Sequence, residues 1–289
     1  MKKKQDNNIN SPSERDVFPG LYVTATPIGN LEDITLRAIR VLRGCDRIVC
    51  EDTRVSIKLL DAYEINKPLI AYHDCNADAV RPQIIAHLQN KEAVALISDA
   101  GTPLISDPGF KLVNECMLLN IKVTTLPGAS AVLPAAILSG FPTHALTFLG
   151  FSSSLSRKDL EIWRDAKTTL IFFEAPHKLL RELSNLRDFF KNRQVAVVRE
   201  ITKVHEEVVR GSFDEVIERF LNEEPRGEIA IILAPPDEKN IESAIIDADL
   251  MSAMDTMSLK DAVAFVAAGR GAPKGVVYQR AIALRHATK

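Results

Sequence analysis

Short runs of uninterrupted apolar residues alternate along the chain with longer stretches in which apolar side chains recur every three or four positions. LYVTAT (21–26), RIVC (47–50), PLIAY (68–72), AVALI (93–97) and IKVTTL (121–126) read as strands. The stretches near 33–43, 55–63, 77–89 and 109–119 read as helices between them. Strands apolar on both faces and separated by amphipathic helices predict a parallel sheet covered on both sides. SGFPTHA (139–145) interrupts the series, with Gly140 and Pro142 breaking the helix before it. A second series follows: LTFLGF (146–151), TLIFF (169–173), QVAVVRE (194–200) and GEIAIIL (227–233), with helical patterns near 157–165, 176–190 and 213–222. These strands alternate more and carry more β-branched residues, so a mixed sheet is expected. Beyond APPDEKN (234–240) two short helical patterns remain, about 258–268 and 274–286, joined by GRGAP.

The pattern divides the chain into a polar tail (1–17), an α/β unit (18–141), a second α/β unit with a mixed sheet (142–236) and a helical appendix (237–289). A length of 289 residues suits two units that each bury a core. MKKK resembles the start of a secretory signal, but QDNNINSPSERD follows it without an apolar segment. Residues 1–17 are therefore expected to be disordered. No apolar run approaches the roughly 18 residues that span a bilayer. The formal charge of −2 supplies no general basic surface for nucleic acid. From Thr256 onward, however, Lys260, Arg270, Lys274, Arg280, Arg285 and Lys289 stand against Asp261 alone, a local charge of +5. A basic helical appendix is the expectation, set against a merely solvated surface. Cys45, Cys50, Cys75 and Cys116 contain no C-x-x-C pair and read as buried free thiols in a reducing compartment, the cytoplasm.

In an open α/β sheet, ligands bind outside the carboxyl ends of the strands. The residues after the strands of the first unit are TPIGN (26–30), EDTR (51–54), HDCNA (73–77), DAGTP (99–103) and PGAS (127–130). Turn chemistry accounts for any one of them, but less well for all five together. The P-loop pattern, the G-x-G-x-x-G fingerprint after a strand, H-E-x-x-H and G-x-S-x-G are all missing, and no metal is expected. What remains is a small ligand held largely by backbone groups. Gly101, Gly128 and Ala129 allow it close to the main chain, and Pro103 and Pro127 stiffen the walls. Asp99 can accept hydrogen bonds from a ribose, face a cationic centre, or cap its own loop or the following helix. In the second unit, Glu174 closes a strand just before Pro176 opens a helix, and Arg199, Glu200, Lys203, His205 and Glu206 crowd the end of another. They are either a solvated turn or candidates for acid–base work and anion binding.

The segments TPIGNLEDIT, EDTR, SDAGTPLISDPG, LPGASA, FFEAPHK and REITKVHEE, in this order, resemble the tetrapyrrole-methylase superfamily. Within it they resemble the ribosomal branch, the cytidine 2′-O-methyltransferases of small-subunit (16S) rRNA. The resemblance extends over about residues 20–289. It implies two α/β domains, S-adenosylmethionine in the cleft between them, a homodimer, and the assembled small subunit as substrate. On this chain the cofactor would lie against Pro27, Ser98, Asp99, Ala100, Gly101, Thr102 and Pro103. Pro127, Gly128, Ala129, Ser130 and Ala131 would continue the pocket, and Phe173, Glu174, Gly227, Glu228 and Ala230 would close it. Lys203, as a base or as a cation, with Glu200 orienting it, is the catalytic expectation. Asn30, Glu51, Asp52, Arg54 and His73 at the cleft, with Lys260, Arg270, Lys274 and Arg280 in the appendix, are the substrate-side expectations. Two other functions fit the same segments: a methylase acting on a tetrapyrrole carbon, and a ribosome assembly factor with a vestigial pocket.

Overall fold

The computed structural model describes residues 17–191, 193–222, 225–236 and 238–287. The tail expected to be disordered falls, up to residue 16, outside the described residues, as does Lys289. The first unit runs β1 (Gly20–Thr24), α1 (Leu36–Gly44), β2 (Arg47–Cys50), α2 (Thr53–Ala62), β3 (Leu69–Ala71), α3 (Ala77–Gln89), β4 (Ala93–Leu96), α4 (Phe110–Leu118) and β5 (Val123–Leu126). Its five strands are parallel, in the order β3-β2-β4-β1-β5.

Alternate residues of each strand reach opposite faces, so two cores form. Tyr22, Ile48, Cys50 and Ala95 pack under α1 and α2 against Val41, Leu42 and Leu60. Leu21, Val23, Val49 and Val94 pack on the other side against Ile84, Leu88 and Leu112 of α3 and α4. Polar residues fix where the helices begin. Thr35 accepts from the Ala38 N–H at 3.0 Å, and Asp52 accepts from the Arg54 N–H at 2.8 Å. At the centre β1 and β4 lie side by side, and their onward connections run to opposite sides, to β2 and to β5. The loops after them therefore diverge and open a crevice at the carboxyl edge.

Next, α5 (Val132–Ser139) leads to β6 (Leu146–Phe151), α6 (Arg157–Leu160), β7 (Thr169–Glu174), α7 (Leu179–Phe189), β8 (Val195–Arg199), β9 (Glu207–Gly211), α8 (Phe213–Leu221) and β10 (Ile229–Leu233). The strand order is β6-β7-β10-β8-β9, parallel only between β6 and β7, so the sheet is mixed as expected. One face carries Leu170, Phe172, Val197 and Ile231 under α7 and α8. The other carries Ile171, Ala196, Val198 and Ile232, covered by Ala135 and Ala136 of α5 and by Ile28 from the loop after β1. Strand β9 has no counterpart in the sequence reading, where the charges just before it, up to Glu206, suggested a solvated turn. It forms the sheet edge, where charge discourages further pairing, and Glu207 there pairs with Arg199 and Arg219.

Helices α9 (Glu238–Met254), α10 (Leu259–Arg270) and α11 (Lys274–Ala287) close the chain around a core of their own, including Leu250, Ala262, Val266 and Val277. The sequence reading did not expect α9, and its presence corrects the basic character assigned to 237–289. Over that span Lys239, Lys260, Arg270, Lys274, Arg280, Arg285 and Lys289 are balanced by Asp237, Glu238, Glu242, Asp247, Asp249, Asp255 and Asp261. Moreover, Arg270 pairs with Asp249 at 2.6 Å, and Arg280 with Asp247, so both are spent holding α9 to its neighbours. Lys260, Lys274 and Arg285 are the exposed basic residues of the module without an ion pair among the described residues.

Candidate active site at the facing edges of the two sheets

Three loops of the first unit are tied into one rigid wall. Thr26 and Gly101 exchange both backbone hydrogen bonds, at 2.8 and 3.0 Å, and the Thr26 hydroxyl donates to the Ser98 carbonyl at 3.2 Å. The Thr102 hydroxyl donates to the Ala129 carbonyl at 3.0 Å, joining the DAGTP loop to PGAS. Gly101 has φ of 76°, and a β-carbon there would meet Ile28 Cγ2 at 3.2 Å, so both the turn and the packing call for glycine.

That wall faces the carboxyl ends of β6 and β7 and the start of β10 across a cavity of about 310 Å³. Ala100, Gly101, Thr102, Ser130, Ala131, Phe173, Glu174, Gly227, Glu228 and Ala230 line it. These ten are among the residues the sequence nominated for a cofactor. The sequence reading missed Ile28, Ile105, Ser106, Asp107, Phe151, Ala175, Pro176 and Ile201, which complete the lining together with Ile229 of the stretch 227–230. Phe151 and Phe173 meet edge to face with ring centres 6.0 Å apart.

Seven nominated residues are not part of the lining: Pro27, Ser98, Asp99, Pro103, Pro127, Gly128 and Ala129. Ser98 turns its hydroxyl to the carbonyls of Ala100 and Gly101, at 3.2 and 3.3 Å. Gly128 lies against Ala25, where a β-carbon would come to 2.9 Å. Asp99 accepts from the Asp52 N–H at 3.1 Å and borders a second hollow, of about 410 Å³, with Glu51, Asp52, Thr53, Arg54, Ala71 and His73. Four of the substrate-side residues are thus brought together, but Asn30 is not. It accepts from the Glu32 N–H at 3.1 Å and starts a short helical turn.

Carboxylates of the two hollows act on one another. Burial pushes the Glu51 carboxyl up from its ordinary pKa, and the neighbouring Asp99 and Asp74 add to the effect. Burial likewise pushes Asp107 up to about 6, reinforced by Glu51 and Asp99. Glu174 behaves differently. Its burial is outweighed by the Ser152 hydroxyl at 2.5 Å, the Ala175 and Ser153 N–H groups at 2.8 Å and the Ser153 hydroxyl at 3.2 Å, so its pKa lies below the usual value. Among the described residues no three His, Cys, Asp or Glu side chains converge as metal ligands.

Lys203 reaches over this edge from the loop after β8. Its Nζ donates to Glu200 at 2.9 Å and to Glu228 at 3.2 Å, and its stem lies on Gly29. Glu200 also accepts from the Glu228 N–H at 3.0 Å. Partial burial would lower the lysine pKa, but the two glutamates outweigh it and hold the ammonium above its ordinary value. Of the two states open to Lys203 in the sequence, this geometry favours the cation. The appendix residues Lys260, Arg270, Lys274 and Arg280 line neither hollow.

The family described as Tetrapyrrole (Corrin/Porphyrin) Methylases matches residues 20–217, and the RsmI C-terminal HTH domain matches residues 241–285. The Ribosomal RNA small subunit methyltransferase I of Mesorhizobium japonicum is 42% identical over 278 residues, 94% of each chain. Among solved structures, a diphthine synthase superposes with a TM-score of 0.60 at 13% identity, over 74% of this chain and 89% of its own. The uroporphyrin-III C-methyltransferase of Thermus thermophilus, complexed with S-adenosylhomocysteine, superposes with a TM-score of 0.55 at 18% identity, over 74% of this chain and 97% of its own. These likenesses to solved structures concern the fold. Sequence agreement over nearly the whole length, including the helical module, carries the conclusion: the chain belongs to the tetrapyrrole (corrin/porphyrin) methylase family.

Proposed function

We propose that the chain methylates small-subunit ribosomal RNA with S-adenosylmethionine, at the ribose 2′-oxygen of a cytidine, on the assembled subunit. The observation that carries this reading is the pairing of a small, backbone-walled cavity with a charged lysine at its rim. The methyltransferase of Mesorhizobium japonicum named above supports the choice of substrate.

The residues present fit the cofactor. The cavity of about 310 Å³ lies within the range of small-ligand sites. Its small residues Ala100, Gly101, Ala131 and Gly227 leave main-chain groups accessible, and Phe151 and Phe173 offer apolar surface for a flat ring. When bound, S-adenosylmethionine supplies an electrophilic methyl group on a sulfonium.

The chain's own part is positioning, which in oriented reactions contributes on the order of 7 kcal/mol or more. The DAGTP and PGAS loops hold one side, and the Phe173–Glu174 strand end holds the other. The hollow bordered by Glu51, Asp52, Arg54, His73 and Asp99 takes the nucleotide to be modified. Lys203, kept charged by Glu200 and Glu228, stabilises the negative charge that grows on the attacking ribose oxygen as its proton passes to solvent water and the methyl group arrives. Lys260, Lys274 and Arg285 give the helical module the cations for rRNA phosphates. Phe110, Met117 and Leu118 on α4, with Leu133 and Ile137 on α5, leave apolar side chains exposed, which supports a homodimer. Cytoplasmic residence agrees with four free cysteines, three of them buried, and with the absence of a helix, among the described residues, long and apolar enough to cross a membrane.

The test is methyl transfer from labelled S-adenosylmethionine to undermethylated small subunits, followed by alkaline hydrolysis. Label in an alkali-resistant dinucleotide is the expected result. Label on a base, or transfer only to a tetrapyrrole, overturns the reading.

A further inference from the structure

Three charged residues line the cofactor cavity among the described residues: Asp107, Glu174 and Glu228. Two of them already have their partners. Both oxygens of Glu174 are taken by the Ser152 and Ser153 hydroxyls and by two backbone N–H groups, and Glu228 pairs with Lys203 at 3.2 Å. Asp107 has no ion pair among the described residues. Its neighbouring donor is the Ser98 hydroxyl, which the carbonyls of Ala100 and Gly101 also claim. The charged groups acting on it are Glu51 and Asp99, both at the rim of the adjoining hollow. Asp107 therefore lies on the side of the cavity nearest the second hollow, and no positive group is among those acting on it.

Building on the proposed function, we infer that Asp107 is the counter-charge for the sulfonium of the bound methyl donor, and that it sets the preference of the site for the charged donor over its demethylated product. A methyl group must leave the cavity at the end facing its acceptor, which is the end Asp107 occupies. An unpaired carboxylate in a half-buried position is stabilised by an opposite charge and disfavoured without one. Once the methyl group has gone, the sulfur is neutral. Asp107 then again faces only Glu51 and Asp99, so the attraction is lost as the product forms. The carboxyl group, pushed up to about 6 chiefly by burial, remains ionised at neutral pH and takes up a proton just below it.

Calorimetric titration of S-adenosylmethionine and S-adenosylhomocysteine, with wild-type protein and Asp107→Asn, tests this at pH 7.5 and pH 5.5. At pH 7.5 the substitution should weaken the methyl donor about tenfold, the size of a modest charge pair, and the product less than about twofold. In wild type the preference for the donor should shrink at pH 5.5, and in Asp107→Asn it should be the same at both values. Glu51, Asp52, Arg54, His73, Asp74, Asp99, Glu174 and Glu228, with Lys203 on Glu228, are the other charged groups of the two hollows and are common to both proteins, so the comparison isolates Asp107. The wild-type pH comparison needs no substitution and stands even if the variant folds poorly. Equal weakening of both ligands would place Asp107 at the ammonium they share and overturn the inference, as would no change in either. Failure of wild type to bind both ligands would overturn the cofactor reading itself.

Discussion

Lys203 lies along Gly29 so closely that a β-carbon on the glycine would stand 2.5 Å from Lys203 Cγ and 2.8 Å from its Cε. One residue belongs to the loop after β1 and the other to the loop after β8, so this approach couples the two sheets where the chemistry is proposed. Gly29→Ala should displace the lysine, and its φ of 147° adds strain for any side chain. The expected result is a fall in the rate of methyl transfer with cofactor affinity nearly unchanged. An unaltered rate would detach the lysine's position from function.

Lys203→Met keeps the apolar stem and removes the charge. Loss of one group that stabilises a developing oxyanion commonly costs on the order of 10²-fold in rate. Single-turnover methylation of small subunits should show that loss, while calorimetry shows cofactor binding within about twofold of wild type. Loss of cofactor binding instead would make Lys203 part of the pocket.

Glu174 is buried and receives hydrogen bonds from four donors. Glu174→Gln presents an amide N–H₂ toward donors and should cost about 1–3 kcal/mol. The native carboxylate has a depressed pKa, so its stabilising contribution is present above the unfolded value near 4.5 and is lost as pH falls through the lower folded value. Melting temperatures of the two proteins should therefore converge only as pH falls through that lower folded value. A constant gap at all pH values would remove the ionised Glu174 from the stability of the site.

Asp107 has the opposite sign. Its folded pKa, about 6, lies above the unfolded value of 3.8, so the folded state binds the proton more tightly and stability declines as pH rises between them. Asp107→Asn is free of that penalty and should be more stable at neutral pH by about 1 kcal/mol after allowance for solvent screening. The advantage should vanish below about pH 4. Equal melting curves at pH 7.5 would show that the carboxylate is well solvated.

The helical module offers Lys260, Lys274 and Arg285 as cations without an ion pair among the described residues. Replacing all three with Glu should weaken binding to small subunits and flatten its dependence on salt, by about 0.7–0.9 in slope for each phosphate no longer neutralised. Cofactor affinity should not change. An equal weakening from Arg270→Glu alone would instead reflect disruption of its ion pair with Asp249.

The sheets were readable because their buried strands are continuous apolar runs, and the observed β2 and β6 coincide with RIVC and LTFLGF. Glu207–Gly211 was not readable as a strand because its stability comes from pairing with β8, while its own residues are those of a solvated edge. Helix α9 was hidden because it follows two prolines and opens on polar residues, so its stripe of Ile246, Leu250 and Ala253 went unread, and its acids then upset the charge count. At the site, Gly101 and Glu174 stood out through their turns and strand ends. Ile28, Phe151 and Ile201 look like ordinary core residues and become cavity walls only when two sheets face each other. Asp107 carried a usable signal: an acid in the SDPG turn of a loop already suspected of shaping a pocket.

Helix α5 precedes the second sheet in the chain yet covers one of that sheet's faces, with Ala135 and Ala136 set against Ile171, Val198 and Ile232. During synthesis the residues of the cover therefore emerge before the surface that they shield. Strands β6 to β10 find their apolar partner already on the chain as they form, and the helix and the sheet complete each other. A chain severed after Phe141 would reverse that order of events, releasing the second sheet with a bare hydrophobic side prone to aggregation.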